Sequence, residues 1–305
     1  MMDYDLLIAG GGPAGLTAGI YAARGGLKTG LITGIYRGGK TSLINKIDNY
    51  SGMVEVNGFI LTSAMREQAD RFGVEFIDDT IVEYRLAETP KRLALESGKE
   101  LTSEYVVLAM GTNNKKLGIP NEEKLTGHGV SYCATCDGIF FKNKVVAVCG
   151  GGNSAFTDAL YLSNLAKEVY LIHRRKTFKA ADVMVQRVQR TSKIKMITES
   201  DVTALQGDPL EAITVKNVAN GKTSKLAVDG VFVAVGSLPN TESVRGQVKT
   251  DNNGYIVTDV HMETSLANVF AAGDIRVTPL RQIITACADG AIAGDAAVKK
   301  RLGKL

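Results

Sequence analysis

The sequence predicts an α/β fold in which one dinucleotide-binding domain is inserted into another. Three observations predict this class: a strand, a glycine-rich turn and a helix at the N-terminus, a second copy of that pattern in mid-chain, and a C-terminal segment too short to form a third domain. The chain has 305 residues, of which 45% are hydrophobic and 22% are charged, so it can bury a large core. This length favours two domains over one.

The first copy of the pattern lies at the N-terminus. Residues 4–9 (YDLLIA) predict a strand, and the small residues through Arg24 predict a helix. The turn between them has the spacing G-x-G-x-x-G. Its first glycine makes a tight turn, its second lets the backbone approach a pyrophosphate, and its third packs the helix on the strand. The predicted nucleotide-binding residues of this turn are Gly10, Gly12, Pro13, Ala14 and Gly15.

The second copy begins at residue 144. Residues 144–149 (KVVAVC) predict a strand, and the apolar spacing from Phe156 onward predicts a helix. The turn between them has alanine in place of the third glycine, and its predicted nucleotide-binding residues are Gly150, Gly152, Asn153, Ser154 and Ala155. Two such patterns predict two Rossmann-like domains and two nucleotide sites.

A second strand follows each predicted helix, and an acid at its end commonly binds the ribose. The strands end instead at Thr33 in the first copy and at His173 in the second. His173 is followed by Arg174 and Arg175, whose guanidinium groups suit a 2′-phosphate by charge and by forked hydrogen bonding. The alternative for this arginine pair is a solvated basic strand end.

Each copy also closes on an apolar strand that finishes in glycine. YVVLAMG ends at Gly111 and GVFVAVG ends at Gly236, so the duplication extends beyond the glycine turns. The C-terminal segment is predicted to return to the first domain. We therefore predict a first domain made of residues 1–113 and 244–305, with the second domain, residues 114–243, inserted between these two parts.

Composition excludes several other classes. The net charge of +4 comes from 36 basic and 32 acidic residues mixed along the chain, which is not the pattern of a nucleic-acid surface. Glycines interrupt the N-terminal apolar run, so neither a signal peptide nor a membrane anchor is predicted. We expect a cytoplasmic protein. In a reducing compartment, four cysteines do not predict a structural disulfide framework.

The segment YCATCDG contains the C-x-x-C pair Cys133 and Cys136. A redox-active dithiol is one interpretation of the pair. A zinc site is a second, although it needs two more ligands and the other thiols, Cys149 and Cys287, stand alone in apolar or small-residue segments. A third is a pair of buried structural thiols. Asp137, which follows the pair, is a candidate proton donor to a leaving thiolate or an N-cap of a helix.

Taken in order, several segments resemble those of bacterial low-molecular-weight thioredoxin reductases, which are flavin disulfide reductases. These segments are GGGPAGLTAGIYAAR, IDNYSG, CATCDG, GGGNSA, HRR, GVFVAVGSLPNT and AAGDIRVTPLRQIITACADGA. The resemblance spans nearly the whole chain. It implies a homodimer that passes electrons from NADPH to FAD, then to a disulfide of Cys133 and Cys136, and finally to thioredoxin or a thioredoxin-like protein.

The resemblance also implies site residues. Besides the first glycine turn, FAD is expected to contact the segment from Thr33 to Lys40 and a set of more distant residues. In full these are Thr33, Gly38, Gly39, Lys40, Asn49, Gly111, Asp274, Arg281, Gln282 and Ile283. NADPH is expected at the second glycine turn and at His173, Arg174, Arg175 and Lys179. No metal site is implied.

Two segments depart from the family pattern. Lys40 stands where the family tends to have a neutral amide near the flavin, and the segment HRRKTFKA has Lys176 in place of an acid and Lys179 in place of an arginine. These changes leave open other electron donors, namely NADH, ferredoxin or a deazaflavin. Three alternatives remain. They are a flavin oxidoreductase with a different disulfide partner, a flavin oxidoreductase or sensor that does not exchange dithiols, and a scaffold that binds nucleotide for regulation.

The resemblance assigns roles to the redox motif. Cys136 is the sulfur next to the flavin, Cys133 attacks the disulfide of the partner protein, and Asp137 protonates the departing thiolate. The family rotates its nucleotide domain to alternate the nicotinamide and the dithiol at the flavin. The predicted hinges are residues 113–117 and 237–243, where polar residues, glycine and proline interrupt apolar strands.

Overall fold

The computed structural model describes residues 2–34, 37–44, 47 and 49–305, apart from the side chain of Cys136. The chain forms two compact units. One contains the N-terminal part through Asn113 together with Leu238–Leu305, and the other contains Asn114–Ser237. Both units contain a parallel sheet flanked by helices, which confirms the predicted α/β class.

The N-terminal part of the first unit contains seven strands and two helices among its described residues. They are β1 (Tyr4–Ala9), α1 (Pro13–Arg24), β2 (Thr29–Ile32), α2 (Gly58–Arg71), β3 (Glu75–Ile77), β4 (Ile81–Arg85), β5 (Lys91–Leu95), β6 (Glu100–Leu108) and β7 (Thr112–Asn114), which crosses into the second unit. β1, α1 and β2 agree with the sequence-based prediction, whereas α2 and the β4–β5 hairpin were not predicted.

The inserted unit carries the second copy of the pattern. Its elements are β8 (Val130–Ser131), α3 (Ala134–Asp137), β9 (Val145–Cys149), α4 (Asn153–Ser163), β10 (Glu168–Ile172), α5 (Asp182–Gln189), β11 (Ile194–Ile197), β12 (Ser200–Gly207), β13 (Leu210–Asn217), β14 (Thr223–Ala227) and β15 (Gly230–Val233). β12, β13 and β14 form a separate antiparallel sheet. The chain then crosses back through β16 (Ser237–Pro239) and ends with β17 (Val269–Ala271) and α6 (Ile283–Arg301).

Each unit contains five parallel strands in the same order, and in the first unit the antiparallel strands β5 and β4 extend the same sheet from β6. In the first unit β1 lies between β2 and β6, with β3 outside β2 and β17 outside β6. In the second unit β9 lies between β10 and β15, with β11 outside β10 and β8 outside β15. This correspondence confirms that the duplication in the sequence reflects a duplicated fold.

The central strands are buried on both faces, which explains their continuous apolar sequences. Leu6 and Ile8 of β1 enter the core beneath α1, whereas Leu7 and Ala9 enter the core on the opposite face. In the second unit, alternate residues of β9 likewise enter two separate cores. No polar face remains on these strands, so neither can lie at a solvated sheet edge.

The C-terminal part completes the first unit, as predicted. Val269, Phe270 and Ala271 of β17 pair in parallel with β6. Helix α6 packs on α1 so closely that a Cβ at Gly290 or Gly294 would clash with the backbone carbonyl of Ala14 or Ala18. The first unit is therefore assembled from both ends of the chain.

The second boundary differs from the predicted one. The inserted unit ends at Ser237 rather than at Ser243. The reason is that Asn240 donates hydrogen bonds to the carbonyls of Gly111 and Met110, at 3.0 and 2.8 Å. Val244, a few residues on, is fully buried in the core of the first unit. These contacts fix the segment after Ser237 on the first unit. Both unit boundaries fall inside the segments predicted as hinges.

None of the helices in the described part of the chain combines the length and the hydropathy that a bilayer crossing requires.

Candidate active site

The first glycine turn requires glycine at two positions. Gly10 has a φ of +114°, and a Cβ there would clash with the carbonyl of Ala109, the residue after β6. A Cβ on Gly15 would clash with the carbonyl of Gly10. The turn is therefore closed tightly between β1 and α1, as the sequence pattern predicts.

The second turn repeats this geometry. Gly150 has a φ of +155°, and a Cβ there would clash with the carbonyl of Ala234, the residue after β15. Gly10 and Gly150 thus meet equivalent carbonyls in the two units. Ala155 replaces the third glycine of the pattern and is completely buried. Its methyl group fits because α4 needs only a small residue at this contact with β9.

Both turns present free backbone to a ligand. Within the described residues, no heavy atom lies within 4 Å of a Cβ built on Gly152, and the nearest atom to one on Gly12 is a Gly39 Cα at 3.9 Å. Gly12 and Gly152 are the N-caps of α1 and α4, and neither helix start carries a side-chain cap. Unpaired amides and the positive end of the helix dipole suit a pyrophosphate at each turn, so both turns fit a dinucleotide.

Thr33 binds an acid that sequence reasoning missed. The hydroxyl of Thr33 donates to Oδ1 of Asp78 at 3.0 Å, and the other carboxylate oxygen of Asp78 pairs with Arg37 at 2.7 Å. Asp78 follows β3, the strand beside β2, so the neighbouring strand supplies the carboxylate that is missing from the end of β2. A prediction would have required the knowledge that β2 and β3 are adjacent. Ile35 and Tyr36 lie outside the described residues.

The segment around Gly38 and Gly39 lies against the first glycine turn. Both glycines have positive φ, and a Cβ on Gly39 would lie 3.1 Å from the Cα of Gly12. The next residue, Lys40, donates from Nζ to Oγ1 of Thr112 at 3.2 Å. Gly111, with a φ of +63°, directly precedes Thr112 and orients this loop. Four of the residues predicted to hold FAD are therefore neighbours in space: Gly12, Gly39, Lys40 and Gly111.

Lys40 and Asp274 influence each other electrostatically. Burial lowers the pKa of Lys40, and the charge of Asp274 partly opposes this effect. Burial raises the pKa of Asp274, while Lys40 and Arg281 act to lower it and Asp289 acts to raise it. Asp274 lies in the turn after β17, so this pair links the predicted FAD segments from the two ends of the chain.

A buried ion pair holds the turn that carries Asp274. Oδ2 of Asp289 accepts hydrogen bonds from the amide of Gly273 and from Nη1 of Arg276, both at 3.1 Å. Nε of Arg276 donates in turn to the hydroxyl of Thr258 at 2.8 Å. The conformation around Asp274 is therefore fixed by side chains that sequence reasoning did not identify.

The other predicted FAD residues cluster at the start of α6. Nδ2 of Asn49 donates to Oε1 of Gln282 at 2.7 Å. Gln282 is the N-cap of α6, Ile283 is the first residue of that helix, and the guanidinium of Arg281 lies 4.0 Å from the ring centre of Tyr255. The structure thus places Asn49 beside the Arg281–Ile283 segment, although it is far away in sequence.

In the second unit, His173 supports the glycine turn. A Cβ on Gly151 would clash with the His173 ring, which therefore lies directly against the turn, and the ring centre is 5.5 Å from that of Phe178. The Nε2 atom is buried with no hydrogen-bond partner among the described residues. Burial lowers the pKa of His173, and the charges of Arg174 and Arg175 also act to lower it. This geometry suits a packing role more than phosphate binding.

Arg174, Arg175 and Lys179 are exposed on the segment that follows His173. The carbonyl of Gly151 accepts a hydrogen bond from the amide of Lys179 at 2.8 Å, so the basic segment is anchored to the glycine turn. Asn153 reinforces the anchor, because its Oδ1 accepts from the amide of Ala181 at 2.8 Å. Ser154 is exposed at the helix start. The segment after His173 is therefore held beside the second glycine turn.

The redox motif lies on α3. Cys133, half-buried just before the helix, is disulfide-bonded, and the side chain of Cys136 lies outside the described part of the structure. The hydroxyl of Ser131 donates to Oδ2 of Asp137 at 2.6 Å and accepts from the amide of Cys133 at 3.0 Å. Ser131 thus links the backbone of Cys133 to the carboxylate of Asp137. Asp137 lies at the N-cap of a 3-10 turn, but its side chain does not cap it.

The other two cysteines are free and buried. Burial raises the pKa of Cys149 to about 12, and Cys287 is packed in the core between α6 and its neighbours. Both are therefore packed as core residues. The described His, Cys, Asp and Glu side chains form no group that could hold a metal ion.

A buried glutamate, Glu122, binds the residue that precedes the redox motif. Oε1 of Glu122 accepts from the hydroxyl of Tyr132 at 2.7 Å and from the amide of Leu117 at 2.7 Å, and Oε2 accepts from the amide of Gly118 at 2.8 Å. Glu122 is only 2% exposed. It therefore ties the residue before Cys133 to the segment that enters the second unit, and no local pattern in the sequence indicated this contact.

Asp158 is a partly buried acid on α4, and burial raises its pKa to about 7. Because the unfolded-state pKa is about 3.9, folding stability decreases as the pH rises from there to 7. We expect Asp158→Asn to stabilise the protein at pH 8 by on the order of 1 to 2 kcal/mol, with a much smaller gain near pH 5. Thermal unfolding at both pH values measures this, and an equal gain at both would contradict it.

Comparisons with known proteins agree with this geometry. The sequence pattern of the pyridine nucleotide-disulphide oxidoreductase family matches residues 4–290. A thioredoxin reductase of Peptoclostridium acidaminophilum is 41% identical over 304 residues, covering 97% of this chain and 96% of the relative. One of Mycolicibacterium smegmatis is 42% identical over 293 residues, covering 95% and 94%. The crystal structure of the Lactococcus lactis thioredoxin reductase superimposes with a TM-score of 0.89 at 37% identity, covering 99% of this chain and 100% of that one.

Proposed function

The chain belongs to the thioredoxin reductases within the pyridine nucleotide-disulphide oxidoreductase family, and on this premise we propose that it reduces the disulfide of a thioredoxin or thioredoxin-like protein. We propose NADPH as the electron source and FAD as the cofactor. The observation that carries the proposal is the half-buried, disulfide-bonded Cys133, hydrogen-bonded through Ser131 to a carboxylate, in a unit with its own nucleotide turn. A nucleotide-binding scaffold or a simple flavin oxidoreductase has no need of this arrangement.

The disulfide chemistry requires two sulfurs and a proton donor. We propose that Cys136 is the partner of Cys133. When two electrons break their bond, the thiolate of Cys133 attacks the thioredoxin disulfide, forms a mixed disulfide and releases one thioredoxin thiolate. Cys136 then attacks Cys133, which restores the intramolecular disulfide and releases the second thiolate. Asp137 is positioned by Ser131 to exchange protons with a departing sulfur.

The first unit would hold FAD. The free amides at the start of α1 would bind the pyrophosphate, and the acid Asp78 beside Thr33 would bind the ribose. Lys40, Asp274 and the start of α6 line the other side of the turn. A bound flavin supplies the step between hydride transfer and disulfide reduction. In the second unit, the turn at 150–155 would hold the NADPH pyrophosphate, while Arg174 and Arg175 would bind its 2′-phosphate.

The partner surface is proposed beside the redox motif. Ile139 and Phe140 directly follow Asp137 and Gly138, and their side chains are 53% and 71% exposed. Exposed aromatic side chains are common anchors at protein interfaces. We expect Phe140→Ala to raise the Michaelis constant for thioredoxin about tenfold, because a truncated anchor commonly costs more than 1 kcal/mol, and to leave flavin reduction by NADPH unchanged.

Steady-state kinetics with varied thioredoxin, and stopped-flow reduction of the flavin, test this surface. The matched control is Phe72→Ala, which removes an exposed aromatic ring from the first unit. An equal rise in the Michaelis constant in both variants would show that the effect is not local to the motif.

The proposed function is tested directly with the purified protein. We expect a yellow protein whose flavin absorbance is bleached by NADPH, and stoichiometric reduction of thioredoxin when NADPH is supplied. NADH and reduced ferredoxin are offered separately as donors. A colourless protein would refute the proposal that FAD is the cofactor. If reduced ferredoxin bleaches the flavin and NADPH does not, ferredoxin is the donor. If the flavin is reduced but thioredoxin is not, the proposal that thioredoxin is the partner is refuted.

We also propose a cytoplasmic homodimer. The first unit exposes large apolar side chains near the start of α2, among them Val54, Phe59 and Ile60, and an interface between two copies would bury such side chains. Light scattering of the purified protein measures its mass, and a monomer at micromolar concentration would refute the dimer.

A further inference from the structure

One lysine of the first unit lies among the residues of the proposed FAD site. Lys40 follows Gly38 and Gly39, and this segment packs directly on Gly12 of the glycine turn. Nζ of Lys40 donates to the hydroxyl of Thr112 at 3.2 Å. Part of the residue is exposed to solvent, and the hydrogen bond holds the ammonium against Thr112.

The sheet topology indicates which half of the dinucleotide this lysine meets. In a doubly wound sheet, a dinucleotide lies across the first strand, with its pyrophosphate at the glycine turn and its two halves on either side. β2 and β3 lie on one side of β1, where Thr33 and Asp78 provide the ribose-binding groups. β6 and β17 lie on the other side, and Thr112 and Asp274 follow these strands. Lys40 is therefore on the side of the isoalloxazine ring.

The described charges that act near Lys40 are of both signs. Asp274 is an acid whose charge acts on Lys40, and burial raises the pKa of Asp274 while Lys40 and Arg281 act to lower it. Arg281 adds a second positive charge on the same side. Burial also reduces the screening of these charges by water. Among the described residues, Lys40 and Arg281 therefore place two positive charges on this side of the turn, next to the acid Asp274.

We propose that Lys40 raises the reduction potential of the bound flavin by stabilising its reduced, anionic form. Hydride transfer from a nicotinamide adds two electrons and one proton to the neutral oxidised ring, so the reduced ring carries one negative charge. An ammonium beside the ring stabilises that charge and leaves the oxidised ring unaffected. The protein would therefore bind reduced FAD more tightly than oxidised FAD. This inference rests on the proposed function, because it requires FAD in the first unit.

The test compares three variants with the wild type in the flavin-loaded, full-length protein. Lys40→Gln removes the charge and keeps a polar side chain, Lys40→Arg keeps the charge, and Lys99→Gln removes an exposed charge elsewhere in the same unit. The midpoint potential is measured by anaerobic equilibration with a reference dye. We expect Lys40→Gln to lower the ratio of reduced to oxidised flavin about tenfold at a fixed potential, which is about 30 mV for a two-electron couple.

Lys40→Arg and Lys99→Gln are expected to stay near the wild-type potential. An unchanged potential in Lys40→Gln, or an equal shift in Lys99→Gln, overturns the proposal while leaving the proposed function intact. If Lys40→Gln purifies without flavin, its dissociation constants for oxidised and reduced FAD are measured instead, because their ratio gives the change in the flavin potential on binding. Equal weakening of both then overturns the proposal. A wild type that binds no FAD refutes the proposed function instead.

Discussion

Replacing Cys133 with serine is expected to abolish thioredoxin reduction, by about a thousandfold or more, because it removes the sulfur proposed to form the mixed disulfide and the intramolecular disulfide can no longer form. Flavin content and flavin reduction by NADPH should stay unchanged, since Cys133 lies in the inserted unit and the proposed FAD residues lie in the first. The measurement is steady-state turnover with thioredoxin, together with anaerobic bleaching of the flavin. Undiminished turnover would exclude a redox role for Cys133.

The same variants assign the two sulfurs. If Cys136 is the flavin-side sulfur, the Cys133→Ser protein should show a long-wavelength absorption band from a thiolate beside the flavin, and Cys136→Ser should not. If the band appears in Cys136→Ser instead, Cys133 is the flavin-side sulfur and Cys136 attacks the partner. Cys149→Ala is the matched control, because it removes a buried free thiol of the same unit and should leave turnover and spectrum unchanged.

Removing either arginine after β10 is expected to raise the Michaelis constant for NADPH by about ten- to a hundredfold. A hydrogen bond to a charged group contributes about 1.5 to 3 kcal/mol, and each tenfold change corresponds to about 1.4 kcal/mol. NADH lacks the 2′-phosphate, so its Michaelis constant should barely change. Arg174→Ala and Arg175→Ala are compared with both nucleotides under steady-state conditions.

Lys176→Ala is the control for general loss of positive charge in this segment. Its ammonium lies 3.9 Å from Glu199, so it is turned towards a protein acid. We expect a smaller change than for either arginine. Equal use of both nucleotides by the wild type, or equal weakening of both in the arginine variants, would exclude a 2′-phosphate site. If neither nucleotide reduces the flavin, the donor belongs to another class.

The sequence predicts local geometry well where backbone sterics decide it. The glycine turns are examples, because a side chain at Gly10 or Gly150 would clash with a backbone carbonyl. The residues on either side of each turn also predict the strand before it and the helix after it. The return of the C-terminal segment also followed from the pattern, since a segment of that length has no core of its own.

Contacts between distant segments were not predictable in the same way. The pairing of Thr33 with Asp78 depends on the adjacency of β2 and β3, and the support of Tyr132 by Glu122 depends on a loop that folds back on itself. The packing of His173 was also not predictable from its position in the sequence. It occupies the expected place for a phosphate ligand, but its ring is used to fill the space beneath Gly151.

The packing of α6 on α1 sets an order for synthesis on the ribosome. Ala14 and Ala18 on α1 are covered by Gly290 and Gly294, which are translated after the whole inserted unit. The inserted unit is continuous in sequence and can fold as soon as it emerges, whereas the first unit has to wait for the C-terminus. A nascent chain that stops before α6 therefore exposes an apolar helix face and is a target for chaperones and proteases.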